Sequence, residues 1–117
     1  MRRLPQQTVD ELDLLFRTLL EFRSNDGKRF PAYAETILFY LGTQPDGLAA
    51  MGDLRETLGL PQPRTSRICA ALEKNGLVHL SPSAKDGRSV AVKLTEKGLR
   101  LIDKTISAFR SRRDKNK

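Results

Sequence analysis

The side chains best suited to chemistry lie in one stretch, residues 62–75, where polar and basic residues recur at helical spacing. The positions predicted to face outward carry polar or small side chains: Gln62, Pro63, Ser66, Arg67, Ala70, Glu73 and Lys74. Glutamine, serine and arginine can hydrogen-bond to base edges and phosphates, and small residues let the backbone come close. We therefore predict DNA contacts from Gln62, Arg64, Thr65, Ser66, Arg67 and Lys74. The alternative is a helix whose solvated face happens to be polar.

A helix can contact bases only if the surrounding chain holds it at a fixed angle. The predicted elements are, in order, a helix over 51–58, a turn at 59–61, the helix over 62–75, and strands over 77–80 and 89–94 joined by residues 81–88. Gly59 stops the first helix, and Gly76 is the glycine that ends the second. Thr65, Ile68, Ala71 and Leu72 form the inward face. We also expect residues 48–50 to form a short strand beside the hairpin.

Three motifs in this region resemble the MarR (multiple antibiotic resistance regulator) family. They are Leu72-Glu73-Lys74-Asn75-Gly76-Leu77-Val78, then Lys85-Asp86-Gly87-Arg88, then Leu94-Thr95-Glu96-Lys97-Gly98. The resemblance covers about residues 36 to 109, and the Asp-x-Arg with Leu-Thr-x-x-Gly is its more specific part. It implies a mostly α fold with a small β-hairpin (α+β), a winged helix-turn-helix with flanking N- and C-terminal dimerisation helices.

The same resemblance assigns roles to the wing, residues 81–89. Arg88 matches the arginine that the family inserts into the minor groove, and Asp86 matches the acid that orients it. A narrow minor groove concentrates negative potential, so a guanidinium there needs no specific base. Lys85 is expected to add a phosphate contact. The alternative for Arg88 is an ordinary surface arginine at a hairpin tip.

The terminal helices carry more apolar residues than a small core needs. Thr8-Val9-Asp10-Glu11 predicts a capping box that opens a helix to about Arg23, whose apolar stripe leaves only Leu14 on the far side. Thr95 is expected to cap a last helix to about Arg112. The predicted dimer interface consists of Leu12, Leu15, Phe16, Leu19, Leu99, Ile102, Ile106 and Phe109. The alternative is a terminal helix that packs across its own core.

The 117 residues suggest one winged-helix domain over 1–117, made of an N-terminal helix at 8–23, a winged-helix core at 31–94, a C-terminal helix at 95–113 and a basic tail at 114–117. The net charge of +7 is uneven. Residues 1–60 hold 7 basic and 9 acidic side chains, whereas residues 61–117 hold 14 and 5. The basic half contains the helix and hairpin described above, as expected for nucleic-acid binding, although a basic surface also favours solubility.

Other classes of chemistry find little support in the sequence. One cysteine, Cys69, and one histidine, His79, are too few for a disulfide or a metal site within one chain, and no HExxH, phosphate-loop or CxxC pattern occurs. We expect no enzyme activity, no cofactor and no membrane segment, and a reducing cytoplasm. Cys69 has two possible roles, core packing or redox sensing.

The sequence therefore predicts a sequence-specific, double-stranded DNA-binding transcriptional regulator, a repressor rather than an activator, acting as a homodimer. A small-molecule effector is possible, but no residue points to its identity. Two alternatives stay open. One is a winged-helix adaptor or inhibitor that binds protein, and the other is a replication or partition factor of a mobile element.

Overall fold

A computed structural model describes residues 4–23, 30–83 and 89–115. Its elements are α1 (Gln6–Arg23), α2 (Ala34–Thr43), a 3₁₀ turn (Pro45–Gly47), β1 (Leu48–Ala50), α3 (Met51–Leu58), α4 (Gln62–Lys74), β2 (Val78–Pro82), β3 (Val90–Leu94) and α5 (Glu96–Lys115). The order helix, turn, helix, hairpin confirms the predicted α+β winged helix-turn-helix.

The chain divides into two compact units. Phe30–Ile102 form the winged-helix unit, and Met1–Arg29 with Asp103–Lys117 form the helical unit. The single domain expected over 1–117 stays a prediction.

The core of the winged-helix unit is built from the apolar faces of α2, α3 and α4. Its fully buried side chains include Ile37, Leu38, Leu41, Leu54, Leu72, Val78 and Val92. Each helix contributes residues at the spacing of one helical face, as the apolar periodicity requires. On α2 this face consists of Ala34, Ile37, Leu38 and Leu41, all fully buried.

The sheet has the strand order β1-β3-β2, and both pairs are antiparallel. Val92 at the centre pairs with Ala49 on one side and Leu80 on the other. Ala49, Val78 and Val92 are buried on one face, so the sheet covers the helical core. The short strand expected at residues 48–50 is present.

The start of α1 differs from the sequence prediction. α1 begins at Gln6, because the Val9 amide donates to the Pro5 carbonyl (3.1 Å) and places Thr8 inside the first turn. α2 begins at Ala34, because Tyr33 has a left-handed backbone (φ 71°) that helical geometry does not allow. α3 forms although Ala50 supplies no side-chain cap, so burial of its apolar face compensates for the missing cap.

The buried face of α1 is rotated from the centre of the predicted apolar stripe toward Leu14. Leu14, Thr18 and Phe22 are buried, whereas Phe16 on the predicted stripe is 61% exposed. Residues four apart share a helix face, so this is one continuous line. Thr18 can be buried because its hydroxyl donates to the Leu14 carbonyl (2.8 Å). Within the helical unit, Arg112 of α5 donates to the Thr18 hydroxyl (3.1 Å) and pairs with Glu21.

Cys69 lies on the inward face of α4 and is fully buried. Desolvation by burial raises the pKa of the thiol from 9.0 to about 11. The thiolate is the reactive form of cysteine, so a thiol held neutral is a poor redox sensor. Between the two roles left open by the sequence, the structure supports packing.

The junction between α4, the hairpin and α5 depends on close backbone approach. The Thr95 amide donates to the Leu77 carbonyl (3.1 Å), and the Thr95 hydroxyl donates to the Gly76 carbonyl while accepting from the Gly98 amide. A Cβ built on Gly98 would lie far inside van der Waals contact with the Leu77 carbonyl oxygen. Gly98 is therefore required here for its missing side chain.

Gly98→Ala should destabilise the winged-helix unit by about 1–3 kcal/mol or more, because backbone must move to admit the methyl group. Gly42→Ala is the matched control. Gly42 is also helical, its Cβ would meet Ile102 at an ordinary 3.5 Å, and alanine favours helix by up to about 1 kcal/mol. Urea unfolding of both variants measures the difference. Equal stability of the two variants would contradict the proposed role of the junction.

The pH dependence of stability should contain a contribution from Cys69. Its pKa is raised in the fold, so the neutral thiol is the favoured form. The stabilisation is complete below the unfolded pKa of about 9 and is lost as pH rises toward about 11. The free energy of unfolding of the wild type should therefore fall more steeply over this range than that of Cys69→Ala, which lacks the thiol. Parallel curves for the two proteins would show that the thiol is not desolvated.

Candidate nucleic-acid interface

The outward face of α4 is exposed and rich in hydrogen-bond donors. Gln62, Arg64, Arg67 and Lys74 are exposed, and Ser66 is half-buried. The first turn of α4 contains no acidic residue and its N-cap, Pro61, makes no side-chain cap bond. The positive end of the helix dipole is thus open to an anion next to arginine side chains.

Thr65 corrects the set of DNA contacts predicted from sequence. It is fully buried, and its hydroxyl donates to the Pro61 carbonyl four residues earlier (3.1 Å). The side chain closes the first turn of α4 from the inside. Thr65 therefore stabilises the first turn of α4 and has no exposed surface for a DNA contact in this structure, whereas the other predicted residues of α4 remain accessible.

The two arginines of α4 adopt different arrangements. The Arg67 Nε donates a long hydrogen bond (3.4 Å) to the Pro63 carbonyl of its own helix. The Arg64 guanidinium lies over the ring of Tyr33, with 5.2 Å between its Cζ and the ring centroid. Tyr33 was missed by the sequence analysis, because a single aromatic residue in a loop has no periodicity and its backbone conformation leaves no pattern in the sequence.

An open groove of about 550 Å³ runs along the flank of α4 that carries these arginines. Its lining residues are Pro31, Ala32, Pro61, Pro63, Arg64, Arg67, Ile68 and Ala71. Proline rings make its walls rigid, since their φ angles are fixed. The interface thus combines a cationic edge with an apolar floor.

The hairpin base is well defined. The Ser83 amide donates to the Ser89 carbonyl (2.8 Å), which continues the pairing of β2 and β3 toward the tip. The predicted wing contacts Lys85, Asp86 and Arg88 lie outside the described residues, so their roles stay predictions.

Glu73 links the end of α4 to the hairpin. Its Oε2 accepts a hydrogen bond from the Leu80 amide (2.8 Å) and lies 3.8 Å from the His79 Nδ1. β2 is an edge strand, so the carboxylate satisfies an amide that no neighbouring strand reaches. Glu73, which the sequence placed on the outward face, therefore has a structural partner in the Leu80 amide.

The described part of the chain offers neither a metal site nor a membrane-spanning helix. Within residues 4–23, 30–83 and 89–115, no cluster of histidine, cysteine and carboxylate side chains has the geometry to hold a metal ion. None of the helices in those ranges is long and apolar enough to cross a membrane.

Comparison with known proteins agrees with this geometry. Residues 36–89 match the profile of the MarR family. Comparison with curated proteins gives no match. Among solved structures, Sco3205 from Streptomyces coelicolor, a MarR family transcriptional regulator in complex with DNA, has 23% identity and a TM-score of 0.69 over 96% of this chain and 74% of its own. The S. aureus MepR–DNA complex has 19% identity and a TM-score of 0.74, covering 95% and 85%.

RV1404 from Mycobacterium tuberculosis has 15% identity and a TM-score of 0.79, covering 94% of this chain and 71% of its own. At such identities the likeness shows a shared fold. The profile match spans the elements that carry the interface, from α2 to the start of the hairpin's second strand. The chain therefore has the winged helix-turn-helix fold, and its residues 36–89 are similar to the MarR family.

Proposed function

We propose that this chain is a sequence-specific, double-stranded DNA-binding transcriptional regulator that acts as a homodimer. The observation that carries the proposal is the outward face of α4, where exposed arginine, glutamine and lysine side chains surround a first turn without any acid. Two proteins of the same fold, Sco3205 and MepR, have been solved with DNA, which supports the same use of the fold here.

In this proposal α4 enters the major groove. Gln62, Ser66 and Arg67 face base edges, while Arg64 and Lys74 contact phosphates beside them. The wing extends to the neighbouring minor groove, with Arg88 inserted, Asp86 orienting it and Lys85 on the backbone. Phosphate contacts set the position of the protein, and base contacts select the sequence.

The homodimer follows from exposed apolar surface on the helical unit. Leu12, Leu15, Phe16 and Leu19 of α1 are 37–61% exposed, and Ile106 of α5 is 37% exposed. Burying a leucine or phenylalanine contributes about 1.5–3 kcal/mol, so a second copy that covers this surface stabilises both chains. We include Leu99, also exposed, and the half-buried Ile102 and Phe109 in the proposed interface.

A two-fold pair places two copies of α4 about one DNA turn, ~34 Å, apart on a pseudo-palindromic site. Repression is a simpler mode of action than activation, since a protein that occupies a promoter blocks transcription without any further contact. The protein acts in the cytoplasm, where its target DNA and reducing conditions for Cys69 are found.

Arg67→Ala and Gln62→Ala should each weaken binding to the cognate site by about 1–3 kcal/mol, because a good side-chain pair with a base edge contributes that much discrimination. The site is first obtained by selection from random DNA, where an inverted repeat should be enriched. On random duplex the same variants should lose much less. Arg100→Ala, which removes an exposed arginine of α5, is the charge-matched control.

Equal losses on cognate and random DNA would reassign both residues to phosphate contacts. Weak, sequence-indifferent binding by the wild type would contradict the proposed function and favour the protein-binding adaptor.

Phe16→Glu should convert the dimer to a monomer in analytical ultracentrifugation, because a charge would replace the most exposed apolar side chain of α1 in the proposed interface. Leu48→Glu is the matched control, since Leu48 is also exposed (44%) but lies on β1 of the winged-helix unit. Far-UV circular dichroism should show both variants folded. A wild type that sediments as a monomer at tens of micromolar, with and without DNA, would exclude the dimer.

A further inference from the structure

Tyr33 has a backbone conformation that its residue type disfavours. Its φ and ψ are 71° and 1°, in the left-handed region, where side chains other than glycine are strained. It occupies the N-cap of α2 and makes no side-chain cap bond. Its carbonyl accepts the first helical bond from the Ile37 amide (3.1 Å). Glycine would fit this position without strain, so the turn itself does not require a tyrosine.

Core packing does not account for the tyrosine either. Its side chain is 41% exposed and is not part of the buried apolar set of the winged-helix unit. The contact that the ring does make is with the Arg64 guanidinium, at 5.2 Å. A guanidinium within about 6 Å of an aromatic centroid is attracted to the ring face.

Arg64 has a suitable position for an anion. It lies in the first turn of α4, on the flank that faces the loop before α2, and it is exposed. Among the described residues no carboxylate lies within ion-pair distance of Arg64. Its positive charge is therefore held by an aromatic ring rather than neutralised by an acid, and its N–H groups remain free to bind an external group.

We propose that Tyr33 is a positioning residue of the DNA interface, which holds the Arg64 guanidinium in place to bind a phosphate of the DNA backbone. This inference rests on the proposed function. An arginine that is already ordered loses less conformational freedom on binding, so the contact becomes stronger without a new hydrogen bond. In this proposal the left-handed backbone of Tyr33, although strained, directs its ring toward Arg64 of α4.

The expected ligand is a phosphate and not a base. Arg64 lies about a quarter-turn away from the centre of the outward face, which Arg67, Ala70 and Lys74 occupy. When that face enters the major groove, a side chain on the flank meets the sugar-phosphate backbone at the groove edge. A phosphate contact carries no sequence information, which gives the inference a distinctive signature.

The test uses four variants of the full chain: Tyr33→Gly, Tyr33→Phe, Arg64→Ala and the double variant Tyr33→Gly/Arg64→Ala. Tyr33→Gly removes the ring but accepts the left-handed backbone, and Tyr33→Phe keeps the ring. Fluorescence anisotropy measures Kd on the selected site and on random duplex over a range of salt concentrations.

We expect Tyr33→Gly to weaken binding about two- to fivefold on both DNAs, as for loss of an exposed cation–π contact, and Tyr33→Phe to bind like the wild type. Arg64→Ala should lower the magnitude of the salt slope by about 0.9, the contribution of one phosphate. Once Arg64 is absent, removing the ring should have no further effect, because Tyr33 acts through the arginine.

Three results would overturn the inference while leaving the proposed function intact. Additive losses in the double variant would show that Tyr33 acts independently of Arg64. Equal losses in Tyr33→Phe and Tyr33→Gly would show that the hydroxyl contacts DNA. A loss confined to the selected site would show base recognition. A wild type without salt-dependent DNA binding would instead remove the proposed function, and this inference with it.

The free protein supplies a check that does not depend on DNA or on the folding of any one variant. The ring current of Tyr33 should shift the Arg64 side-chain proton resonances upfield in the NMR spectrum of the wild type and of Tyr33→Phe. The shift should be absent in Tyr33→Gly. Random-coil chemical shifts for Arg64 in the folded wild type would overturn the inference.

Discussion

The contact between the Leu77 carbonyl and the backbone at Thr95 and Gly98 fixes the junction between the end of α4 and the hairpin. The Leu77 amide donates back to the Leu72 carbonyl (3.0 Å), and its carbonyl accepts from Thr95 at the start of α5. Lys97 adds a bond to the Asn75 carbonyl (2.9 Å). The last carbonyls of α4 accept from the backbone amides of residues 75–77, and the Asn75 and Gly76 carbonyls just beyond the helix accept from Lys97 and Thr95. The end of α4 is thus tied to the start of α5, which leaves little freedom in the angle between α4 and the hairpin.

This rigidity matters because direct recognition of bases requires side chains placed to within a fraction of an ångström. At the other end of α4, the Thr65 hydroxyl and the Pro61 carbonyl close the first turn from inside, and Glu73 connects the last turn to the edge of the sheet. Interactions on the inner side of α4 and at both of its ends hold the helix in place. Most of its outer face is therefore available for the proposed contacts with DNA. Among the described residues, Tyr33 contacts α4 at Arg64, on the flank of the outer face rather than at its centre.

Much of the winged-helix unit could be predicted from sequence because its signals are local. Gly59 and Gly76 end helices through their left-handed backbones, and the apolar spacing of α2 and α4 specifies their inner faces. The features that were wrong or missed depend on side-chain hydrogen bonds or on backbone angles. Thr18 is buried because its hydroxyl bonds to a carbonyl four residues earlier, although hydrophobicity counts it as polar. Thr65 was correctly placed on the inward face of its helix, and the same kind of bond satisfies its hydroxyl there. The strained φ of Tyr33 has no counterpart in a pattern of residue types.

The exposed stripe of α1 is the one that the sequence assigned to a dimer interface. It contains Phe16 and is the widest apolar feature of the helix, yet within its own chain α1 buries the narrower line from Leu14 to Phe22. A monomer gains nothing from leaving four large side chains in water, so the exposed stripe is explained if a second chain covers it. In the proposed dimer the apolar surface comes from α1 and α5, and the basic surface comes from α4. Dimer formation then contributes to DNA affinity directly, because one assembly makes two sets of phosphate and base contacts while only one loss of translational freedom is incurred.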